Sequence, residues 1–215
     1  MILIEIDIQK ERKRLEKQRR KRLAAQETKK RTTDDDVKSQ AHADMIKASS
    51  NLGTMATDMA IRQILPNAKQ LPTDIPGKGE AGQFDRVYID GDQIYVVESK
   101  GGSSDLGSRK DLDGQQSQQG TPQYIASVIA NMDQKVKDGY EDPRYGTDPE
   151  FTAQIDKLSD TLDILIPAQR EGRITSLQIS QRVDSNGNLV SSVEVKKFEN
   201  YSKKAPTAPN QGSGN

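Results

Sequence analysis

The sequence predicts an α/β protein, a three-layer α/β/α sandwich with a mixed central sheet, preceded by a charged helical extension. Three observations predict it. Residues 83–100 read as a β-hairpin with apolar side chains on both faces, as expected of central strands covered on both sides. Residues 41–65 and 121–137 carry apolar side chains at helical spacing before and after that hairpin. Residues 174–198 alternate around Ser185-Asn186-Gly187-Asn188 and supply a second antiparallel hairpin.

In chain order, Met1 to Ile8 is apolar but broken by Glu5 and Asp7 and lacks a basic leader, so it does not read as a signal peptide. Residues 10–31 hold twelve Lys or Arg against three Glu, a net of +9, with good helix formers and no Gly or Pro. Leu15 and Leu23 are its only large apolar residues, too few for a coiled-coil seam. The stretch reads either as a solvated helical linker or as an electrostatic arm for nucleic acid, which adds affinity without sequence choice. Thr32 to Asp36 ends it, and Thr or Asp caps the next helix. In 41–65, Met45, Ile46, Leu52, Met55, Met59, Ile61, Ile64 and Leu65 form the apolar face, and Pro66 marks the exit.

Leu71 to Gly82 is a Pro- and Gly-rich loop bordering the mouth of any site on the hairpin. Gly101 to Gly120 is a long polar loop; it is either a surface excursion or a Gly-rich approach to phosphate, with Arg109 as the phosphate contact. Thr121-Pro122 starts a helix through Lys137, with Tyr124, Ile125, Val128, Ile129 and Met132 inward. Asp138 to Asp148 is a turn-rich connector. A short helix is expected at Phe151 to Leu158 and a strand at Ile164 to Ile166 before Pro167. Leu177, Ile179 and Val183 point inward from the strand that follows, and Leu189 to Phe198 returns beside it. From Ser202 onward the composition is that of a disordered tail. The organisation is therefore an extension over 1–40, a catalytic domain over 41–200 and a tail over 201–215.

Composition narrows the function classes. The 215 residues suit one domain of about 100–150 residues with extensions. With 32% hydrophobic residues, 30% charged and no Trp, the core is modest. Zero Cys excludes disulfides, thiolate metal sites and cysteine nucleophiles. The single histidine, His42, excludes His-rich metal sites and His-pair chemistry; its polar surroundings read as solvent. No run approaches the roughly 18 apolar residues of a membrane span. The protein is expected in the cytoplasm, or as a fragment carried by a larger secretion machine.

The hairpin carries the chemistry. With Asp90-Gly91 as a two-residue turn, Ile89 faces Asp92, Val87 faces Ile94 and Asp85 faces Val96; a four-residue loop gives the same register. Asp85, Val96, Glu98 and Lys100 then share one face, and Phe84, Tyr88, Tyr95 and Val97 the other. Glu98 sits diagonally from Asp85, with Cα atoms about 7–8 Å apart. Two carboxylates at that spacing offer hard oxygens to Mg²⁺ or Mn²⁺, which completes its shell with water and phosphate oxygens. Lys100 returns to the acids' face and can orient water or offset charge building on a phosphate. A surface hairpin with ordinary exposed charges is the plainer reading, but charges on a doubly buried strand are costly without work or partners.

Asp85, Glu98 and Lys100 resemble the D…ExK signature of the PD-(D/E)xK, or restriction-endonuclease-like, nucleases. The wider pattern Gly82-Gln83-Phe84-Asp85-Arg86-Val87-Tyr88, Val97-Glu98-Ser99-Lys100-Gly101-Gly102 and Gln118-Gln119-Gly120-Thr121-Pro122-Gln123-Tyr124 resembles C-terminal toxin domains of bacterial polymorphic toxins, of the Rhs and contact-dependent-inhibition type. The resemblance spans about residues 45–135. It implies a metal-dependent endonuclease, with Asp85 and Glu98 as metal ligands and Lys100 catalytic, delivered into a competitor and neutralised by a cognate immunity protein. Two departures stand out. No Glu occurs in 41–65, where related enzymes often place one, which leaves Asp58 as the substitute. Gln119 precedes Tyr124 by five residues where the Gln-x-x-x-Tyr motif requires four, so Gln119 or Gln118 is only an accessory. DNA is the first substrate and tRNA or another RNA the alternative; the sparse aromatics offer no stacking platform for single strands. An inactive nucleic-acid- or protein-binding module is the competing class.

Overall fold

The ten-residue strand Gln93–Gly102 (β4) is the longest in the sheet, and the other elements are arranged about it. The computed structural model describes residues 2–4, 12–74, 82–111 and 113–198. The expected tail, and part of the 71–82 loop, lie outside the described residues.

Among the described residues, four helices and seven further strands precede and follow β4 in the order β1 (Ile2–Ile4), α1 (Arg12–Arg31), α2 (Asp35–Ile64), β2 (Lys69–Leu71), β3 (Arg86–Asp90), β4, β5 (Ser108–Lys110), β6 (Gln116–Gln118), α3 (Pro122–Glu141), α4 (Pro149–Arg170), β7 (Ile174–Arg182) and β8 (Val193–Lys197). The main sheet is mixed, with strand order β1-β8-β7-β4-β3-β2. Only β4 and β7 run parallel, and α3 and α4 lie in the crossover between them.

Hydrophobic cores form on both faces. Val87, Ile94, Val96 and Ile174 pack with Ile125, Val128 and Met132 of α3 and Ile155, Leu158 and Leu165 of α4. On the other face Tyr88, Val97, Leu177, Ile179 and Val195 pack with Leu52, Ala56, Met59 and Ile61 of α2 and with Leu15 of α1. The expected α/β class with a mixed sheet is therefore observed, with helices on each side. Phe84 differs from expectation: it precedes β3, leaves the strand's alternation, and packs on the α3/α4 side.

The helix starts follow their caps. Asp34 accepts the Asp36 and Val37 amides, Thr121 accepts that of Tyr124 ahead of Pro122, and Asp148 accepts those of Glu150 and Phe151. Residues 164–166 are not a strand. The buried series Phe151, Ile155, Leu158, Leu162, Leu165 and Ala168 keeps helical spacing through them, and Pro167 falls in the last turn of α4, where little helix is left to lose. The polar 101–120 segment likewise holds a small sheet of β5 and β6. Ile46, expected inward, is 54% exposed, because α2 turns that flank toward an open cavity.

Nor is α1 a solvated linker: Leu15 is 0% exposed, and Arg22 and Ala25 are buried beside it. The boundary expected at residue 40 falls inside α2, which runs unbroken from Asp35. Two glycines set the depth at which α2 lies on the sheet. A Cβ on Gly101 would stand 2.6 Å from the Gly53 nitrogen and collide with the Ser49 carbonyl; one on Gly53 would stand 2.9 Å from the Lys100 backbone.

Leu15→Ala should cost about 2–5 kcal/mol of unfolding free energy in urea titrations, the value for a core site, against under about 0.5 for a solvated linker. Gly101→Ala should cost about 1–3 kcal/mol by forcing α2 off β4.

Candidate active site

The observed hairpin register differs by two residues from the expected one. Ile89 pairs with Ile94 and Asp90 with Gln93, so the turn is Gly91-Asp92. Gly91 has φ 58 and, among the described residues, no non-Gly residue has positive φ, which fits a turn with glycine at its first central position rather than an Asp-Gly turn with two positive φ values. A shift of two keeps the side chains of β3 and β4 on their predicted faces, Phe84 ahead of β3 being the exception. Continuing the ladder one residue past Arg86–Val97 sets Asp85 directly across from Glu98, not diagonal to it.

Asp85 lies just before β3, and its Oδ2 accepts the Ser99 amide at 2.8 Å, in the place a ladder carbonyl would take. Glu98 is 1% exposed. Its Oε2 accepts the Gln119 amide Nε2–H at 2.6 Å, while its buried Oε1 meets no hydrogen-bond donor among the described residues. Burial, and then the Asp85 charge, push the Glu98 carboxyl up to about 8, against the opposing pull of Lys100. Lys100 stands 4.0 Å from Glu98 Oε2 and donates to Gln119 Oε1 at 2.7 Å.

Gln119 therefore ties the two charges together. Its Oε1 also accepts the Gly107 amide at 2.7 Å, and its Nε2 reaches the Tyr124 hydroxyl at 3.3 Å. Local geometry explains why a glutamine five residues before the tyrosine reaches it. Gln119 lies ahead of the Thr121 cap, outside the helix, where the i, i+4 spacing does not apply. Gly120, at φ 87, lets the Phe198 ring pack where a Cβ would meet it at 2.5 Å, and this packing fixes the turn. Burial and the Glu98 charge push the Tyr124 phenol up to about 12, so it stays protonated.

Arg109 joins the same place. It shares a cleft with Gly82, Gly107, Gln119 and Tyr124, and its Nη1 is buried without a hydrogen-bond partner among the described residues. Gln118 is exposed and pairs with Ser108 in the small sheet. Asp58 does not belong to the site: on α2 its charge acts on Tyr88, on the face of the sheet opposite Glu98. His42 is exposed, with Nδ1 3.0 Å from Lys29 Nζ.

Sequence reasoning missed the floor of the site. Gln178 and Ser180 pair in register with Glu98 and Lys100, are both buried, and are joined at 3.1 Å. The alternation of β7 assigns these residues to an outer face, but a strand covered on both sides has none; the polar pair opposite Leu177 and Ile179 was the available signal.

A cavity of about 370 Å³ opens beside β4, with Asp74, Asp85, Ser99 and Lys100 in its wall and α2 along one flank. Among the described residues, no three His, Cys, Asp or Glu side chains gather as a metal centre. The opposed pair Asp85 and Glu98, with one orphaned buried oxygen, is a two-carboxylate donor set of the kind that suits Mg²⁺. No helix among the described residues is long and apolar enough to cross a membrane. Comparison of the chain with protein-family models, curated proteins and solved structures finds no match.

Glu98 links stability to pH. Between its ordinary value of 4.5 and about 8, the folded chain holds a proton that the unfolded chain has released. This contribution is therefore full below 4.5 and is lost as pH rises, at up to about 1.4 kcal/mol per pH unit. Denaturation in metal-free buffer should show stability falling across that window, and Glu98→Gln should flatten the fall.

Proposed function

We propose that the protein is a metal-dependent endonuclease of the PD-(D/E)xK kind, hydrolysing phosphodiester bonds of nucleic acid, with DNA the favoured substrate, and that it serves as an antibacterial toxin domain. The observation that carries this reading is the buried Glu98 carboxyl, opposed by Asp85 and tied through Gln119 to Lys100. A carboxyl at this depth is costly for a structural role alone, and its unpartnered Oε1 is available to a cation.

Asp85 and Glu98 would hold Mg²⁺ or Mn²⁺. When bound, the ion supplies Lewis acidity to a water and to the scissile phosphate. Lys100 contributes a positive charge fixed by Gln119 rather than left on a free stem, so it needs no reorganisation as charge grows on phosphate oxygens. Gln119 and Tyr124 position these groups, and Arg109 adds a second cation to the same rim. The exposed Arg12, Lys13, Lys17 and Arg20 on α1 favour a polyanion without reading bases. The resemblance to polymorphic toxins adds a cognate immunity protein as partner.

Purified protein incubated with plasmid DNA and with total tRNA, in Mg²⁺ or in EDTA, tests the reading. Cleavage should require metal and fall by at least about 10²–10³-fold in Glu98→Ala. Gln119→Ala should lose about 10–100-fold, the usual scale for a residue that orients ligands, and Asp58→Ala should lose nothing. Metal-dependent binding with no product would move the protein to the binding-module class, and cleavage of tRNA alone would name the other substrate.

A further inference from the structure

Arg22 is the one member of the basic run with a buried guanidinium group. Its residue exposure is 7%, and the group is held between helices and strand end by neutral oxygens only. Nε donates to Ser49 Oγ at 3.1 Å, Nη2 to Ser103 Oγ at 3.0 Å and Nη1 to Gln26 Oε1 at 3.5 Å. Among the described residues no carboxylate forms an ion pair with it, although a guanidinium offers five N–H donors. A buried charge with neutral partners alone is costly unless an anion joins it. The group also lines the 370 Å³ cavity that holds Asp85 and Lys100, with Ser103 and Ser104 beside it.

The chain is shaped to keep Arg22 there. Gly102, at φ 70, ends β4; a Cβ on it would stand 2.6 Å from Arg22 Nε. Ser49 sits on α2 where that helix meets Gly101, so one close approach sets both Lys100 and the Arg22 anchor.

We propose that Arg22, with Ser49 and Ser103, is a phosphate-binding subsite that grips a backbone phosphate of the nucleic acid next to the scissile one. The proposal rests on the nuclease reading for its ligand, though not for its geometry. Asp74 and Asp85 line the same cavity, so the anion is drawn to the Arg22 end and away from the acids. Planar, bidentate recognition of phosphate is the chemistry that distinguishes Arg from the lysines around it.

The test is the salt dependence of binding, in EDTA, of a labelled DNA duplex and of labelled tRNA to the full chain. Arg22→Gln should weaken binding and reduce the log–log salt slope by about 0.9 for duplex or about 0.7 for a single-stranded segment. Arg22→Lys should keep the slope and lose affinity, and Lys157→Gln, an exposed site on α4, should change the slope less than Arg22→Gln. A folded Arg22→Gln protein with the wild-type slope, a slope change matched by Lys157→Gln, or a wild-type protein that binds neither nucleic acid would overturn the subsite. A second arm needs no variant to fold: inorganic phosphate should raise the wild-type melting temperature above that in chloride of equal ionic strength, and no rise would count against the site. Failure of the two readings is distinguishable. Absence of cleavage with the Arg22 slope change intact removes the nuclease and leaves the phosphate grip, whereas cleavage with an unchanged slope removes the grip alone.

Discussion

Helices cover β4 on both faces, and that double burial is the constraint on which the rest of the molecule depends. A strand so placed has no solvent side on which to leave a charge, so Glu98 and Lys100 must find their partners within the fold. They do so through one neutral amide, Gln119, which faces the acid with its N–H and the ammonium with its carbonyl. The small β5–β6 sheet, the Gly107 amide and the Phe198 ring all serve to hold that amide in place. Because β3 begins only at Arg86, the far half of β4 has no strand beside it on that edge among the described residues, and the cavity opens there.

The second determinant is steric. Gly53 and Gly101 allow the backbones of α2 and β4 to meet without side chains between them. Glycine in a helix interior costs about 1 kcal/mol relative to Ala, and here the cost is offset by the burial of α2 across the sheet. The same approach brings Ser49 to Arg22 and so docks α1, whose Leu15 completes the core on that face. A run of charges that looks like a tether is thereby part of the folded body.

Much of this was legible in the residues, for identifiable reasons. Alternation in 84–100 placed Asp85, Glu98 and Lys100 on one face, and that placement survived an error in the turn because side-chain parity is unchanged by a two-residue slip. The apolar face of α3 is legible except for its last member, Val136: Tyr124, Ile125, Val128, Ile129 and Met132 are all buried as expected. What could not be read depended on contacts distant in sequence. Nothing within a run of twelve basic residues marks Arg22; its identity comes from Ser49 and Ser103, 27 and 81 residues away. Gln119 was set aside on a helical spacing rule that fails for a residue ahead of the cap. Ile164-Leu165-Ile166 before Pro167 reads locally as a strand, and the longer helical period that contains it decides otherwise.

The Gly91-Asp92 turn has a practical side. It joins β3 to the start of β4, about 20 Å of strand from Glu98 at the ordinary rise per residue. Both turn residues are exposed; Gly91, at φ 58, is best kept as glycine, while Asp92 carries no such backbone demand. The hairpin tip is therefore an attachment point: a fluorophore, an epitope or a tether to a surface can be fixed at Asp92 with the Glu98 end of the sheet left facing away.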